Sequence, residues 1–212
     1  MAKNQILNIF TALIMLSAAS CQSSSWRETY KSSLPVLKPG DPVIAFGDEM
    51  TKGDGAKKDE SYPSQLTLIS GLAVINAGKA GETTRSLLSH MSTDLRNFKP
   101  KLAIVIIGAN DFAKDEQTKH ISENLNTILT HIRRSRTTPV LVAIPTTGLV
   151  RADSSLYYDV AKKHRTPLIS GLLKDILGDS ELTSGENKLN AKGYAKLAEG
   201  INNYLKENGA IE

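Results

Sequence analysis

Two carboxylates, Asp48 and Glu49, follow Gly47 directly at the end of the apolar run Val43-Ile44-Ala45-Phe46. The arrangement recurs twice along the chain. Leu72-Ala73-Val74-Ile75-Asn76-Ala77 leads into Gly78-Lys79-Ala80-Gly81-Glu82-Thr83-Thr84, and Lys101-Leu102-Ala103-Ile104-Val105-Ile106-Ile107 leads into Gly108-Ala109-Asn110-Asp111. A carboxylate can attack carbon or move a proton. An asparagine amide donates a hydrogen bond without titrating, and a glycine at a helix start lets a ligand approach unpaired amides. Each cluster also has a plainer reading, because strand exits need turns and both asparagine and glycine serve them.

The runs that carry these clusters are apolar at successive positions, which suits strands of a parallel sheet covered on both faces. Their carboxyl ends are then where ligands bind in an open α/β sheet. The run 101–107 is the most apolar and should be central. Between the runs lie helical stripes: Leu87, Leu88, Met91 and Leu95 over 83–96, then Ile121, Leu125, Ile128, Leu129 and Ile132, closed by Arg133, Arg134 and Arg136 where cations suit the helix dipole. Ser61 should cap a helix through Pro63, Leu66 and Ile69, after a solvated loop over 54–60. Residues 138–145 and 166–170 supply a fourth and a fifth strand, and a polar loop over 146–151 should border the cleft. Helices follow over 154–163 and 172–177, and the last, over 191–206, buries Tyr194, Leu197, Ala198, Ile201 and Leu205. This alternation predicts an α/β fold, a three-layer α/β/α sandwich around a five-stranded, parallel, doubly wound sheet. His90, His120, His131 and His164 fall on helices or their ends, and His90 is expected to be exposed or capping.

The clusters resemble the sequence blocks of the SGNH, or GDSL, hydrolases over roughly residues 42–205. That resemblance implies a flavodoxin-like sheet and an ancestral activity of the esterase, lysophospholipase or carbohydrate deacetylase class. The family's first block usually reads Gly-Asp-Ser-Leu-Thr, and here it is Gly47-Asp48-Glu49-Met50-Thr51, with Glu49 in the place of the nucleophilic serine. The second and third blocks match Gly81 and Asn110 to the oxyanion-hole donors. The last block runs to Asn190-Ala191-Lys192-Gly193-Tyr194, and its histidine and aspartate fall on Lys188 and Gly185. By this resemblance the catalytic set, Glu49, Gly185 and Lys188, is not intact, while Gly81 and Asn110 are kept as an oxyanion-hole-like pair. Asp48 and Asp111 are then expected to line the cleft.

A carboxylate next to an ammonium should form an ion pair, so Glu49 and Lys188 are expected to pair and to close the pocket. The resulting reading is a pseudoenzyme that binds an acylated lipid, a glycan or a protein partner. The rival is a divergent ester hydrolase in which Glu49 attacks, Asn110 and Gly81 hold the oxyanion and Lys188 serves as a perturbed base. A third reading is a purely structural protein without a small ligand. Ser184 and Thr51 are weak substitutes, since a hydroxyl without a base is a poor nucleophile.

The start of the chain carries a different signal. Residues 5–19 are apolar after the single Lys3, and Ala18-Ala19-Ser20 leads into Cys21, the one cysteine. This reads as a lipoprotein signal peptide over 1–20, with acylation of Cys21 and a Ser-rich tether over 21–41 before a domain over 42–212. An ordinary signal peptide or a start-of-chain helix is the alternative. The apolar stretch is shorter than the roughly 20 residues of a spanning helix. Gln22, by resemblance to bacterial lipoproteins, points to the outer membrane, facing the periplasm. The bilayer, through acylated Cys21, is therefore one expected partner, and an acylated lipid or glycan another.

The formal net charge is +4, and removal of residues 1–20 takes only Lys3, leaving 25 − 22 = +3. Such an excess suits an anionic envelope surface and is too small to argue for nucleic acid. No metal-ligand spacing, no nucleotide-type glycine loop and hence no cofactor is indicated.

Overall fold

A computed structural model of the chain describes residues 34–146, 152–185 and 188–212. The signal segment, Cys21, the tether as far as residue 33, residues 147–151 of the polar loop, and Glu186 with Asn187 lie outside the described residues.

Five strands, β1 (Pro42–Gly47), β2 (Ala73–Asn76), β3 (Leu102–Ile106), β4 (Thr138–Val142) and β5 (Leu168–Ile169), form one parallel sheet in the order β2-β1-β3-β4-β5. This is the flavodoxin-like, doubly wound order, with its switch point between β1 and β3. Both of those strands are apolar throughout because both faces are covered, and Val43 to Phe46 and Leu102 to Ile107 are fully buried.

Among the described residues eight α-helices accompany the sheet: α1 (Glu49–Lys52), α2 (Tyr62–Ser70), α3 (Thr84–Phe98), α4 (Ala109–Ala113), α5 (Thr118–Arg134), α6 (Ser155–His164), α7 (Leu172–Leu177) and α8 (Ala191–Glu207). One layer packs α3 against α5 and α5 against α6, and the other packs α2 and α7 against α8. Each long helix turns its apolar stripe inward. Leu87, Met91 and Leu95 of α3 and Ile121, Leu125, Ile128, Leu129 and Ile132 of α5 are all buried, whereas Leu88 is only partly covered.

Some elements differ from the sequence reading. The 54–60 loop contains a 3-10 turn at Lys58–Glu60, in which the Glu60 carboxylate accepts from the Lys57 amide at 2.9 Å. Ser61 stands at the start of α2, but its hydroxyl bonds to the Lys58 carbonyl and to Ser64 instead of a helix amide. The segment before α8 forms a two-stranded antiparallel hairpin, β6 (Thr183–Gly185) and β7 (Lys188–Leu189).

The chain reaches the sheet at the amino ends of its strands. Leu37 N donates to Ala210 O at 2.7 Å and Gly40 N to Gly71 O at 2.8 Å, beside the last turns of α8 and α2. Lys101 N donates to Pro42 O at 2.8 Å and Thr138 N to Lys101 O at 3.0 Å, so these strand starts share one edge. Among the described residues every strand and helix lies at residue 42 or later, with Leu34 and Leu37 packed onto the core.

Candidate functional site

Parallel strands bring the exits of β1, β2 and β3 to one carboxyl edge. At the β1 exit Asp48 caps α1, its Oδ1 accepting from Met50 N at 3.0 Å, and Glu49 becomes the first residue of the helix. Gly47 is required there, since a Cβ would collide with the Ile106 carbonyl and with Thr51. At the β3 exit Gly108 has φ +127° and sits under the Tyr157 hydroxyl, where a Cβ would also collide. That turn starts α4 and aims Asn110 back toward α1.

The exits converge on one oxygen. Glu49 Oε2 accepts from the Gly81 amide at 2.9 Å and from Asn110 Nδ2 at 2.9 Å. Asn110 Nδ2 also donates to the Glu82 carbonyl at 3.2 Å, which fixes the amide's orientation. Partial burial pushes the Glu49 carboxyl up, but the bonds from Asn110 and Gly81 together outweigh it and hold the group below its ordinary value. The two oxyanion-hole-like donors therefore already hold an anion, and that anion belongs to the protein.

This arrangement replaces the expected Glu49–Lys188 pair. Lys188 is exposed on β7, and among the described residues no ion pair joins it to Glu49. Two short hydrogen bonds satisfy the carboxylate locally, and a hydrated ammonium gains little by leaving water for a partly exposed partner. Gly185 is likewise exposed, with φ +151°. Ser184 Oγ donates to the Leu189 carbonyl at 3.3 Å, and Thr51 is fully buried beneath Gly47.

Asp48 and Asp111, expected to line a cleft, are instead buried, each being 2 % exposed. Asp111 joins α4 to the start of α3: Oδ2 accepts from Thr84 N at 2.9 Å and Oδ1 from the Thr84 hydroxyl at 2.6 Å. Asn124 Nδ2 donates to the same hydroxyl at 3.0 Å. Asp48 Oδ2 has no partner among the described residues. Burial, seconded by the charges of Glu49 and Asp111 and opposed by the Met50 amide, pushes the Asp48 carboxyl up to about 7.

His90 is neither exposed nor a helix cap. Its Nε2 lies 2.9 Å from Glu82 Oε1 and its Nδ1 3.2 Å from Asp94 Oδ2, with Ser86 Oγ donating to the same Glu82 oxygen at 3.2 Å. The four residues recur every four positions, a spacing that runs from Glu82, just before α3, along one face of that helix and could have marked the cluster. Among the described residues no group of three or more His, Cys, Asp or Glu side chains is placed to hold a metal ion.

Known proteins share this arrangement of blocks and layers. Residues 45–196 match the model of the GDSL-like lipase/acylhydrolase family. Thioesterase 1/protease 1/lysophospholipase L1 of Escherichia coli strain K12 is 23 % identical over 143 residues, which span 64 % of this chain and 69 % of that protein. The uncharacterized lipoprotein YqeF of Bacillus subtilis strain 168 is 29 % identical over 114 residues, 47 % of this chain and 46 % of that one. The crystal structure of the psychrotrophic esterase EstA from Pseudoalteromonas superposes with a TM-score of 0.71 at 19 % identity, covering 79 % of this chain and 97 % of that one, a likeness of fold.

Proposed function

The chain belongs to the GDSL-like lipase/acylhydrolase family, and from that premise we propose that it uses the esterase-like scaffold as a binding module and no longer hydrolyses esters. The occupied donor pair carries this reading. Acyl transfer needs donors aimed at the place where negative charge develops. Here Glu49 Oε2 holds both Gly81 N and Asn110 Nδ2 at 2.9 Å, so a substrate carbonyl would have to evict a carboxylate and then develop charge beside it. The relay positions support the same reading. Gly185 offers no carboxylate, and a lysine becomes a base only when burial strips its water, whereas Lys188 is exposed.

The partly exposed Glu49 presents an acceptor where a working hydrolase presents donors. The ligand this favours brings hydroxyl or ammonium groups to the cleft, as a glycan, an amine-bearing lipid headgroup or a lysine of a protein partner does. We further propose that the domain is held at the bacterial envelope through acylated Cys21, in the outer membrane and facing the periplasm. The sequence of residues 1–22 and the likeness to a protein named as a lipoprotein support this.

The test is hydrolysis of a short-chain aryl ester by the chain from Gln22 onward and by its Glu49→Ala variant. Neither is expected to exceed buffer. Turnover by the wild type that Glu49→Ala abolishes would replace this reading with a hydrolase in which Glu49 attacks and Asn110 and Gly81 hold the oxyanion.

A further inference from the structure

The edge of the sheet opposite Glu49 is lined with cations. Helices α3, α5 and α6 lie side by side, and all three end there. Lys99 follows α3, Arg134 closes α5 with Arg136 just beyond it, and Lys162 and Lys163 stand in the last turn of α6, all five of them exposed. The three ends are tied together: Thr137 Oγ1 donates to Pro100 O at 2.8 Å, and Arg133 donates to His164 O at 3.0 Å and Arg165 O at 3.1 Å. Among the described residues no carboxylate makes an ion pair with any of the five. Phe98, 44 % exposed, sits beside Lys99.

Helix dipoles favour cations in a last turn, and this accounts for some of the charge. It does not account for the left-handed positions. Lys99 has φ 44°, Arg136 φ 63° and Arg165 φ 48°, so each helix of this layer is left through a cation in a conformation that disfavours any Cβ. The long helices of the opposite layer, which end on the same edge, use glycine for that job, with Gly71 after α2 and Gly209 after α8, as does the short α1 with Gly53. Within this edge it is the α3, α5 and α6 exits that give up backbone ease, all three at cations; the other non-glycine case among the described residues, Asp115 with φ 55°, follows α4.

We propose that this edge docks against an anionic lipid surface. A flat surface can meet three adjacent helix ends at once, the cations match lipid phosphates, and Phe98 supplies an apolar contact. The described chain also starts on this edge, at Leu34, tied down through Leu37 and Gly40. Residues 1–33 therefore leave the domain from the side that would face the bilayer.

The test uses the chain from Gln22 onward, which holds every element of the fold and lacks Cys21, so no acyl group contributes. Partition is measured onto vesicles of phosphatidylcholine with about 30 mol % phosphatidylglycerol, and onto phosphatidylcholine alone. Binding is expected only with the anionic lipid, and it should fade between about 50 mM and about 300 mM salt. Lys99→Gly and Arg136→Gly, combined with Lys162→Gln and Lys163→Gln, should weaken binding by about tenfold or more. Glycine suits both left-handed positions, so this variant should melt no lower than the wild type. Lys57→Gln, Lys58→Gln, Lys79→Gln and Lys114→Gln together remove the same charge from the carboxyl edge and should leave partition unchanged. Equal loss in both variants, no partition at low salt, or capture by duplex DNA with none by vesicles would each overturn the proposal.

Discussion

Asp48 and Glu49 are adjacent in the chain, yet their carboxyls are pushed in opposite directions. Glu49 is held below its ordinary value because its hydrogen bonds to Asn110 and Gly81 outweigh burial. Asp48 is pushed up to about 7 from 3.8, chiefly by burial. The folded protein therefore binds the Asp48 proton more tightly than the unfolded chain does. The stability this contributes is fully present below about pH 3.8, declines as pH rises, and is lost above about 7. Asp48→Asn keeps an oxygen for the Met50 amide and cannot ionise. Thermal unfolding should show the variant melting several degrees above the wild type at pH 8 and close to it at pH 4, on the order of 2–4 °C per kcal/mol for a chain of this size. An equal shift at both pH values would mean that Asp48 is not the titrating group. The same neighbouring pair explains why burial was misjudged from sequence. The family resemblance places Asp48 and Asp111 at strand exits that line the cleft, and only the folded turns reveal the amides and hydroxyl that bury them.

The elements that frame the site differ in how plainly the sequence announces them. Runs such as Val43 to Phe46 and Lys101 to Ile107 and stripes such as Ile121 to Ile132 carry their period over enough residues to be read, and the sheet and its flanking layers follow. The helices α1 and α4 span four and five residues, too short to show a helical period, and the β6–β7 hairpin pairs strands of three and two. Those short pieces aim Glu49, Asn110 and Lys188, so the convergence on Glu49 Oε2 was hidden although the residues themselves were named. Asp111 is the brace between one such piece, α4, and the start of α3. Asp111→Ala would leave Thr84 N and its hydroxyl without their buried acceptor, at about 2–4 kcal/mol. Its melting temperature should fall by roughly 5–15 °C, whereas Asp111→Asn, which keeps one acceptor oxygen, should lose less. Equal losses would remove the bracing role.

At the scale of the whole molecule, cleft and chain start lie at opposite ends of the strands. Residues 1–33 continue from the amino edge, and Cys21 is 13 residues ahead of Leu34. After a wash at about 300 mM salt, which screens the electrostatic contact, Cys21→Ala is expected to leave the membrane for the soluble fraction of the envelope while the wild type stays; retention of the washed variant would argue against acylation as the anchor. With the amino edge held down, strand β1, which runs from Pro42 at that edge to Gly47 two residues before Glu49, lifts Glu49 roughly 20 Å from the lipid at about 3.3 Å per residue. A lipid still rooted in the same leaflet could not extend its headgroup that far. Whatever enters the cleft must therefore come from the aqueous side, freely diffusing or displayed by a structure facing the membrane, and the domain would act as an outward-reaching hand.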